Sequence, residues 1–389
     1  MQDFVFDGCT RIIFGKDKEN QVGELAKKYG KKVLLHYGGG SIKKFGLYDR
    51  VMASLKAAGM EVFELGGVRS NPTYDLINQG IKICKDNAID LILAVGGGSA
   101  IDSAKGISVG AVYKGDVLDF TLEKAVATDA LPVGVVLTIP AAGSESSQYA
   151  VATYMQNGYP FKRDMLWKNN EIIRPKFAIL NPELTFTLTS FQTAVGIYDI
   201  MSHAMERYFT SVKNVELTDR LCEATLKTVI NNATILMKEP KNYDARAEIM
   251  WAGSIAHNDL LGTGRQGDFM SHMIEHELSG IYDIAHGAGL SIVFPAWMKY
   301  VYKYNIDRFA QFATRVWNVD FNFYSPEQTI LEAIKKLENF SKELGLPTRL
   351  KDVNIPDDRF AEMAANTVKM GSIKKITKED IVEIFKLAR

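Results

Sequence analysis

The chain has 389 residues, 47% of them hydrophobic, and its 46 Lys plus Arg balance 46 Asp plus Glu. Zero formal charge excludes the basic surplus of a nucleic-acid or anionic-membrane binder, and the apolar fraction excludes a disordered chain. Three scattered Cys (Cys9, Cys84, Cys222) exclude a disulfide scaffold and a thiolate zinc cluster, and they suit the cytoplasm.

The first half alternates strands and helices. Residues 31–37 (KKVLLHY) read as a strand that runs into Gly38-Gly39-Gly40, with a helix over 47–60. A strand at 60–65, a helix at 74–88 and a buried strand at 89–95 follow. That strand meets Gly96-Gly97-Gly98, a helix continues from Ser99, and residues 131–140 read as another strand. Such alternation implies βαβ units and a parallel sheet covered on both faces. One last strand-like run lies in 174–189. Beyond about residue 183, apolar residues recur at spacings of three and four, over 217–240 and 243–262. Two domains are expected: an α/β domain at 1–183 and an all-helical domain at 184–389. No segment has the pattern of a signal peptide or the length of a membrane span.

Each glycine turn follows a strand, where backbone can approach a phosphate and a helix N-terminus offers free N–H groups. Neither is a G-x-G-x-x-G fingerprint or a Walker loop. Two of them in one half still point to a nucleotide; ordinary turn chemistry is the alternative. Ser99 and Asp102 fit a capping box, so Asp102 is either a cap or a ligand-facing residue. Residues 137–147 (LTIPAAGSESS) form a third candidate loop.

The helical half carries the metal-type residues. Asp199 and His203 are four apart and share a helix face, as do His272 and His276. His286 follows beyond Gly280, and a helix break there would fold it back toward His272. An Asp and three imidazoles suit Fe²⁺ or Zn²⁺ and not Ca²⁺. A rival reading is the zinc-protease pattern H-x-x-E-H at His272–His276, with Glu275 as general base. It leaves Asp199, His203, His286 and both glycine turns without a role. A nucleotide domain joined to a metal domain suits hydride transfer, with the metal as a Lewis acid toward an alcohol or carbonyl oxygen.

The segments YGGGSIKK, SNPT, VGGGSAIDSAKG, LTIPAAGSESS, RPKFAILNPELTFTL, YDIMSHAMERYF and MSHMIEHELSGIYDIAHGAGLSIVFPAWM span nearly the whole chain. Together they resemble the iron-containing (group III) alcohol dehydrogenases, most closely the butanol-dehydrogenase-like branch. The resemblance implies a Rossmann-like α/β domain followed by a helical domain, in a homodimer. It implies Asp199, His203, His272 and His286 as metal ligands. His276 takes the place of a histidine near the nicotinamide and substrate, a candidate in proton relay, and Asp102 that of an acidic residue by the nicotinamide site. Gly96, Gly97, Gly98 and Ser99 match the pyrophosphate clamp. Asn71, Thr138, Ser147 and Lys162 fall at cofactor-contacting positions.

Coenzyme choice can be read physically. Gly38-Gly39-Gly40-Ser41 offers no carboxylate to repel a 2′-phosphate, and Ser41, Lys43 and Lys44 could bind one. NADP(H) is therefore expected over NAD(H). Phe269, Met270, Trp251 and Tyr149 suggest an apolar pocket for a short aliphatic alcohol or aldehyde. His36 is placed near the cofactor, and His257 has no assigned role. Glycerol-dehydrogenase-like and dehydroquinate-synthase-like enzymes are the alternatives in the same superfamily.

Overall fold

The computed structural model describes residues 1–389. Two compact units divide the chain. One is Gly8–Leu188 with Lys241–Ser254; the other is Met1–Asp7, Thr189–Pro240 and Ile255–Arg389.

The first unit holds strands β1 (Arg11–Phe14), β2 (Lys32–Tyr37), β3 (Glu61–Leu65), β4 (Leu91–Gly97), β5 (Val133–Ile139), β6 (Val151–Gln156), β7 (Tyr159–Asp164) and β8 (Phe177–Leu180). Six of them form one sheet in the order β1-β8-β5-β4-β2-β3, parallel throughout. Side chains alternate across it. Val33, Leu35, Leu91, Leu93 and Val95 pack with Val51 and Leu55 of the helix Leu47–Ala57. Leu34, Ile92, Ala94, Val133 and Val135 pack with Ile77 and Ile81 of the helix Tyr74–Asn87 and Ile101 of the helix Gly98–Val112. Burial on both faces explains why β2 and β4 read as unbroken apolar runs.

Strand order reverses between β2 and β4, since β3 lies to one side of β2 and β4 and β5 to the other. Both glycine turns leave the carboxyl ends of these two strands, where open α/β sheets bind ligands.

Several details differ from the sequence expectation. The edge strand β1 was missed because it is four residues long and only half-buried. The antiparallel hairpin β6-β7 was missed too. Its turn is Asn157-Gly158, both at positive φ (52° and 77°), the pair that two-residue hairpins favour. The expected capping box does not form, since Gly97 caps the helix Gly98–Val112 without any side-chain bond. Asp102 instead accepts hydrogen bonds from Ser144 Oγ (2.5 Å) and the Val151 N–H (3.1 Å). Gly280 does not break its helix. The helix Met270–Tyr282 runs through it and ends at Asp283, whose φ of 49° is left-handed.

The second unit is helical, with Ser190–Tyr208, Glu216–Lys238, Met270–Tyr282, His286–Val301, Ile306–Arg315, Pro326–Glu343 and Lys378–Leu387 as its longer elements. Phe209, Phe294, Trp297, Phe309 and Phe312 are fully buried in it, and the Phe209 and Phe309 rings stack at 4.4 Å. No helix is long and apolar enough to cross a membrane.

The last helix is tied down by Asp380. Burial acts to raise its pKa, but bonds from Lys374 Nζ, Tyr300 Oη and the Thr377 N–H outweigh that and hold it at about 2, against an ordinary 3.8. A depressed carboxylate pKa stabilises the fold fully above pH about 4, and the contribution fades as pH falls toward 2. Asp380→Asn is expected to cost about 2 kcal/mol at pH 7 and little at pH 2. Denaturant midpoints across that range check it; an equal loss at both ends would sink the assignment.

Candidate functional site

Three elements bring the metal-type residues together. The helix Ser190–Tyr208 starts with a capping box in which Thr189 and Gln192 bond reciprocally, fixing its first turn. It places Asp199, His203 and Glu206 at i, i+4 and i+7, along one stripe. The helix Met270–Tyr282 supplies His272, Glu275 and His276, and His286 opens the next helix.

The imidazoles converge on one oxygen. Asp199 Oδ1 lies 3.4 Å from His203 Nε2, 3.9 Å from His272 Nε2 and 3.8 Å from His286 Nε2. Donor atoms of Asp199, His272 and His286 all fall within 4.8 Å of one another. Asp199 Oδ1 and His272 Nε2 are buried and have no hydrogen-bond partner. Buried polar atoms are nearly always satisfied, so an orphaned oxygen facing orphaned nitrogen is the signature of an ion-binding cage. One carboxylate and three neutral imidazoles fit a divalent transition metal.

Buried carboxylates hold two of the rings from behind. Glu206 Oε1 accepts from the backbone N–H of His272 and faces its Nδ1, each at 3.1 Å. Glu275 accepts from His286 Nδ1 and from Ser279 Oγ. A carboxylate on Nδ1 fixes the proton there and leaves Nε2 as the donor to a metal. Glycines make room for this. A Cβ at Gly289 would come within 2.5 Å of Glu275 Oε1, and one at Gly287 within 2.1 Å of the Val195 carbonyl oxygen. The neighbouring helices therefore pack at a distance only glycine allows. The protease reading fails here, because Glu275 is fully buried and engaged by His286 and Ser279, not placed to activate a water.

Electrostatics separate the rings. Burial, then the charges of His257 and His272, push His203 well below its usual pKa. Burial also acts to lower His272, but Asp199 and Glu206 prevail and raise it to about 9. His276 is buried beside His286, with ring centroids 5.6 Å apart, and lies outside the group formed by Asp199, His272 and His286. Phe269 faces His272 at 6.0 Å, and Met270 is fully buried.

Glu275→Gln is expected to weaken metal binding about 10–100-fold, since the amide loses the charge that orients His286. Competition with a chelator measures it. An affinity equal to the parent's would remove Glu275 from the site.

The sheet unit assembles the nucleotide-type residues. Tyr37 pairs with Val95 in the β2-β4 ladder, so Gly38–Ser41 and Gly96–Ser99 emerge side by side. Their glycines differ in kind. A Cβ at Gly96 would meet Ala100 Cβ at 2.7 Å, so the fold itself requires glycine there. At Gly39 and Gly40 a Cβ would meet nothing within 4 Å. Nothing in the packing explains those two, and an approaching ligand would. Ser41 is exposed at the start of the turn 41–44. Asn71 is half-buried at a left-handed φ of 55°, and Thr138 is half-buried near the end of β5.

Behind Ser99 lies a buried polar cluster. Lys105, fully buried, donates to Ser144 Oγ (2.7 Å), the Ser147 carbonyl (3.0 Å) and the Tyr149 carbonyl (2.7 Å). Burial raises the pKa of Asp102, opposed by the Lys105 charge, the Ser144 and Val151 bonds, and Lys162. Lys162 sits on β7 opposite Thr153 and is itself buried. Asp102, Ser147 and Lys162 are thus gathered with Lys105, which sequence reasoning missed along with Glu206.

Two expectations need correction. His36 is not at a cofactor surface. It is fully buried, with Nδ1 on the Leu65 carbonyl and Nε2 on Ser103 Oγ, and burial lowers its pKa to about 4. A carboxylate does stand near the 38–41 turn. Glu64 accepts from Tyr37 Oη (2.9 Å) and Tyr48 Oη (2.7 Å), and the Lys43 ammonium lies over both rings.

A parallel sheet with glycine turns at its switch point, and a carboxylate–imidazole cluster carried on helices, fit the class of metal-dependent enzymes that use a nucleotide coenzyme. Comparison with known proteins supplies the family. Residues 9–182 match the iron-containing alcohol dehydrogenase family, and residues 193–389 match the C-terminal part of the Fe-containing alcohol dehydrogenase family. The chain belongs to the iron-containing alcohol dehydrogenases and is an alcohol oxidoreductase of that family. It is 42% identical to the probable NADH-dependent butanol dehydrogenase 2 of Bacillus subtilis (strain 168), over 99% of each chain. It is 36% identical to the NADPH-dependent aldehyde reductase YqhD of Escherichia coli (strain K12), over 91% of this chain and 90% of that one. Among solved structures, NADH-dependent butanol dehydrogenase A of Thermotoga maritima superposes with a TM-score of 0.94 at 38% identity, covering 100% of this chain and 99% of that one.

Proposed function

We propose that the protein interconverts short aliphatic aldehydes and alcohols of the butyraldehyde–butanol type with a nicotinamide coenzyme and a divalent metal. The observation that carries this is the unpartnered Asp199 Oδ1 with three imidazole nitrogens within 4 Å. In this reading Asp199, His203, His272 and His286 hold Fe²⁺ or Zn²⁺. When bound, such an ion supplies Lewis acidity toward the substrate oxygen, and the coenzyme supplies or accepts the hydride. Glu206 and Glu275 hold two of the rings in the donating tautomer. His276, beside His286, relays the substrate proton. Gly38–Ser41, Asn71, Gly96–Ser99, Thr138, Ser147 and Lys162 bind the coenzyme, and Asp102 sits at its nicotinamide end. Nucleotide binding belongs to the sheet unit and metal binding to the helical unit. The proposal includes a cytoplasmic homodimer; three unpaired cysteines suit a reducing compartment.

The proposal extends to NADP(H) over NAD(H). Gly39, Gly40 and Ser41 leave room for a 2′-phosphate, and Lys44 adds charge, while Lys43 lies over the Tyr37 and Tyr48 rings. The relatives divide: the Bacillus protein is named NADH-dependent and the Escherichia protein NADPH-dependent. One set of assays tests both parts. Butyraldehyde-dependent oxidation of NADPH is expected, with loss of activity on chelation and recovery with Fe²⁺ or Zn²⁺. No turnover of any short aldehyde would overturn the function, and a kcat/KM ratio favouring NADH would overturn the coenzyme choice.

A further inference from the structure

The loop 140–150 joins β5 to β6 without regular structure, yet residues 143–147 are all buried. Loops usually run over the surface, because a buried one leaves backbone groups without water. Here side chains replace the water. Lys105 donates to the carbonyls of Ser147 and Tyr149, and Arg174 donates to the Ser146 carbonyl (2.5 Å). The third anchor comes from far along the chain. Ser254 lies on the helix Tyr243–His257, within the stretch Lys241–Ser254 that belongs to the sheet unit. Its hydroxyl donates to Glu145 Oε1 at 2.5 Å, across 109 residues of sequence. Ser146 Oγ in turn donates to the Ser254 carbonyl (3.2 Å). Glu145 and Ser254 are each 1% exposed. Burial raises the Glu145 pKa, and the Ser254 hydroxyl is the first of the groups that oppose it. Neither residue has a part in the metal or hydride chemistry described above.

We propose that Ser254 and Glu145 are a positioning pair for the coenzyme: their bond holds residues 143–147 in the shape that presents Ser147 to it. The proposal rests on the reading that Ser147 and Asp102 face the coenzyme. Glu145 sits between the residues that matter. Ser144, one position before it, donates to Asp102 Oδ1 (2.5 Å) and accepts from Lys105 (2.7 Å). Ser147, two positions after it, accepts from the Tyr149 N–H at 3.0 Å. Without the Ser254 hydroxyl, the buried carboxylate is drawn by the Lys105 charge, and the backbone on both sides moves with it. The metal ligands lie on other helices, so the effect falls on the coenzyme alone.

The test uses the full-length, metal-loaded protein with NADPH and NADH as probes. It measures Kd from coenzyme fluorescence, and kcat and both KM values with butyraldehyde. Ser254→Ala is expected to raise Kd and KM for the coenzyme about fivefold, the effect of one lost hydrogen bond. Metal content, kcat and the KM for butyraldehyde should stay within about twofold of the parent. Glu145→Gln keeps an oxygen that accepts the Ser254 hydroxyl, so its coenzyme constants should also stay within about twofold. If Ser254→Ala alone does not fold, the same substitution in the Glu145→Gln background leaves no charge without its donor and carries the test, with the same rise expected. Coenzyme constants equal to the parent's in the folded alanine variant would overturn the proposal. So would a fall in kcat or metal content as large as the rise in coenzyme KM, which would make the pair a general support of the fold. A parent that binds neither NADPH nor NADH would overturn the coenzyme reading as well.

Discussion

Asp199→Asn is expected to empty the metal site and to lower kcat/KM by on the order of 10³-fold, about 4 kcal/mol of transition-state stabilisation. The substitution keeps size and shape and removes one charge. That charge is the only negative donor among three nitrogens within 4 Å, and its Oδ1 has no other partner. Asp199 is buried, so no nearby water replaces it. Neutral imidazoles alone hold a divalent ion less well, because the carboxylate both coordinates and offsets the ion's charge in a low-dielectric site. Metal content by elemental analysis and kcat/KM with butyraldehyde are the two readouts. Stoichiometric metal with activity within about tenfold of the parent would remove Asp199 from the centre. Folding should survive, since asparagine keeps the size and shape of the side chain.

Much of this was legible in the sequence for identifiable physical reasons. β2 and β4 are buried on both faces, so their composition alone marks them. The pairs Asp199/His203 and His272/His276 keep helical spacing, so their shared faces follow from geometry. What escaped was set by partners distant in sequence. Lys105 reads as one charge on a small-residue helix, and only the fold brings Ser144, Ser147 and Tyr149 to it. Glu206 left a signal, a carboxylate seven residues after Asp199 on the same stripe, but its partner His272 lies 66 residues away. His36 misled because the end of a strand looks like the rim of a site; the Leu65 carbonyl of β3 and the Ser103 hydroxyl of the helix Gly98–Val112 hold both its ring nitrogens in the interior. Gly280 misled because glycine commonly ends helices, whereas here Asp283 takes the left-handed turn.

Lys105→Met is expected to cost about 3–5 kcal/mol of stability, the usual loss when one member of a buried charged network is removed. Methionine replaces the aliphatic stem and lacks only the terminal ammonium, so most of the packing is kept and the cost is mainly electrostatic. Two carbonyls, of Ser147 and Tyr149, lose their donor. Asp102 and Glu145, both buried and both already pushed up by burial, lose the positive charge that lowers them. Their pKa values rise further, so each is protonated more readily in the folded state than in the unfolded chain. Stability from that source falls as pH rises, and the deficit of the variant should be larger at pH 8 than at pH 5. Denaturation at both values reads it; a loss under about 1 kcal/mol at each would show that Lys105 is not the anchor. The same variant frees the 144–149 loop, which carries Ser147, so the KM for coenzyme should rise while metal content stays at the parent level. Asp199→Asn should do the reverse, losing metal while coenzyme binding persists. Two substitutions, one in each compact unit, therefore separate the two halves of the chemistry.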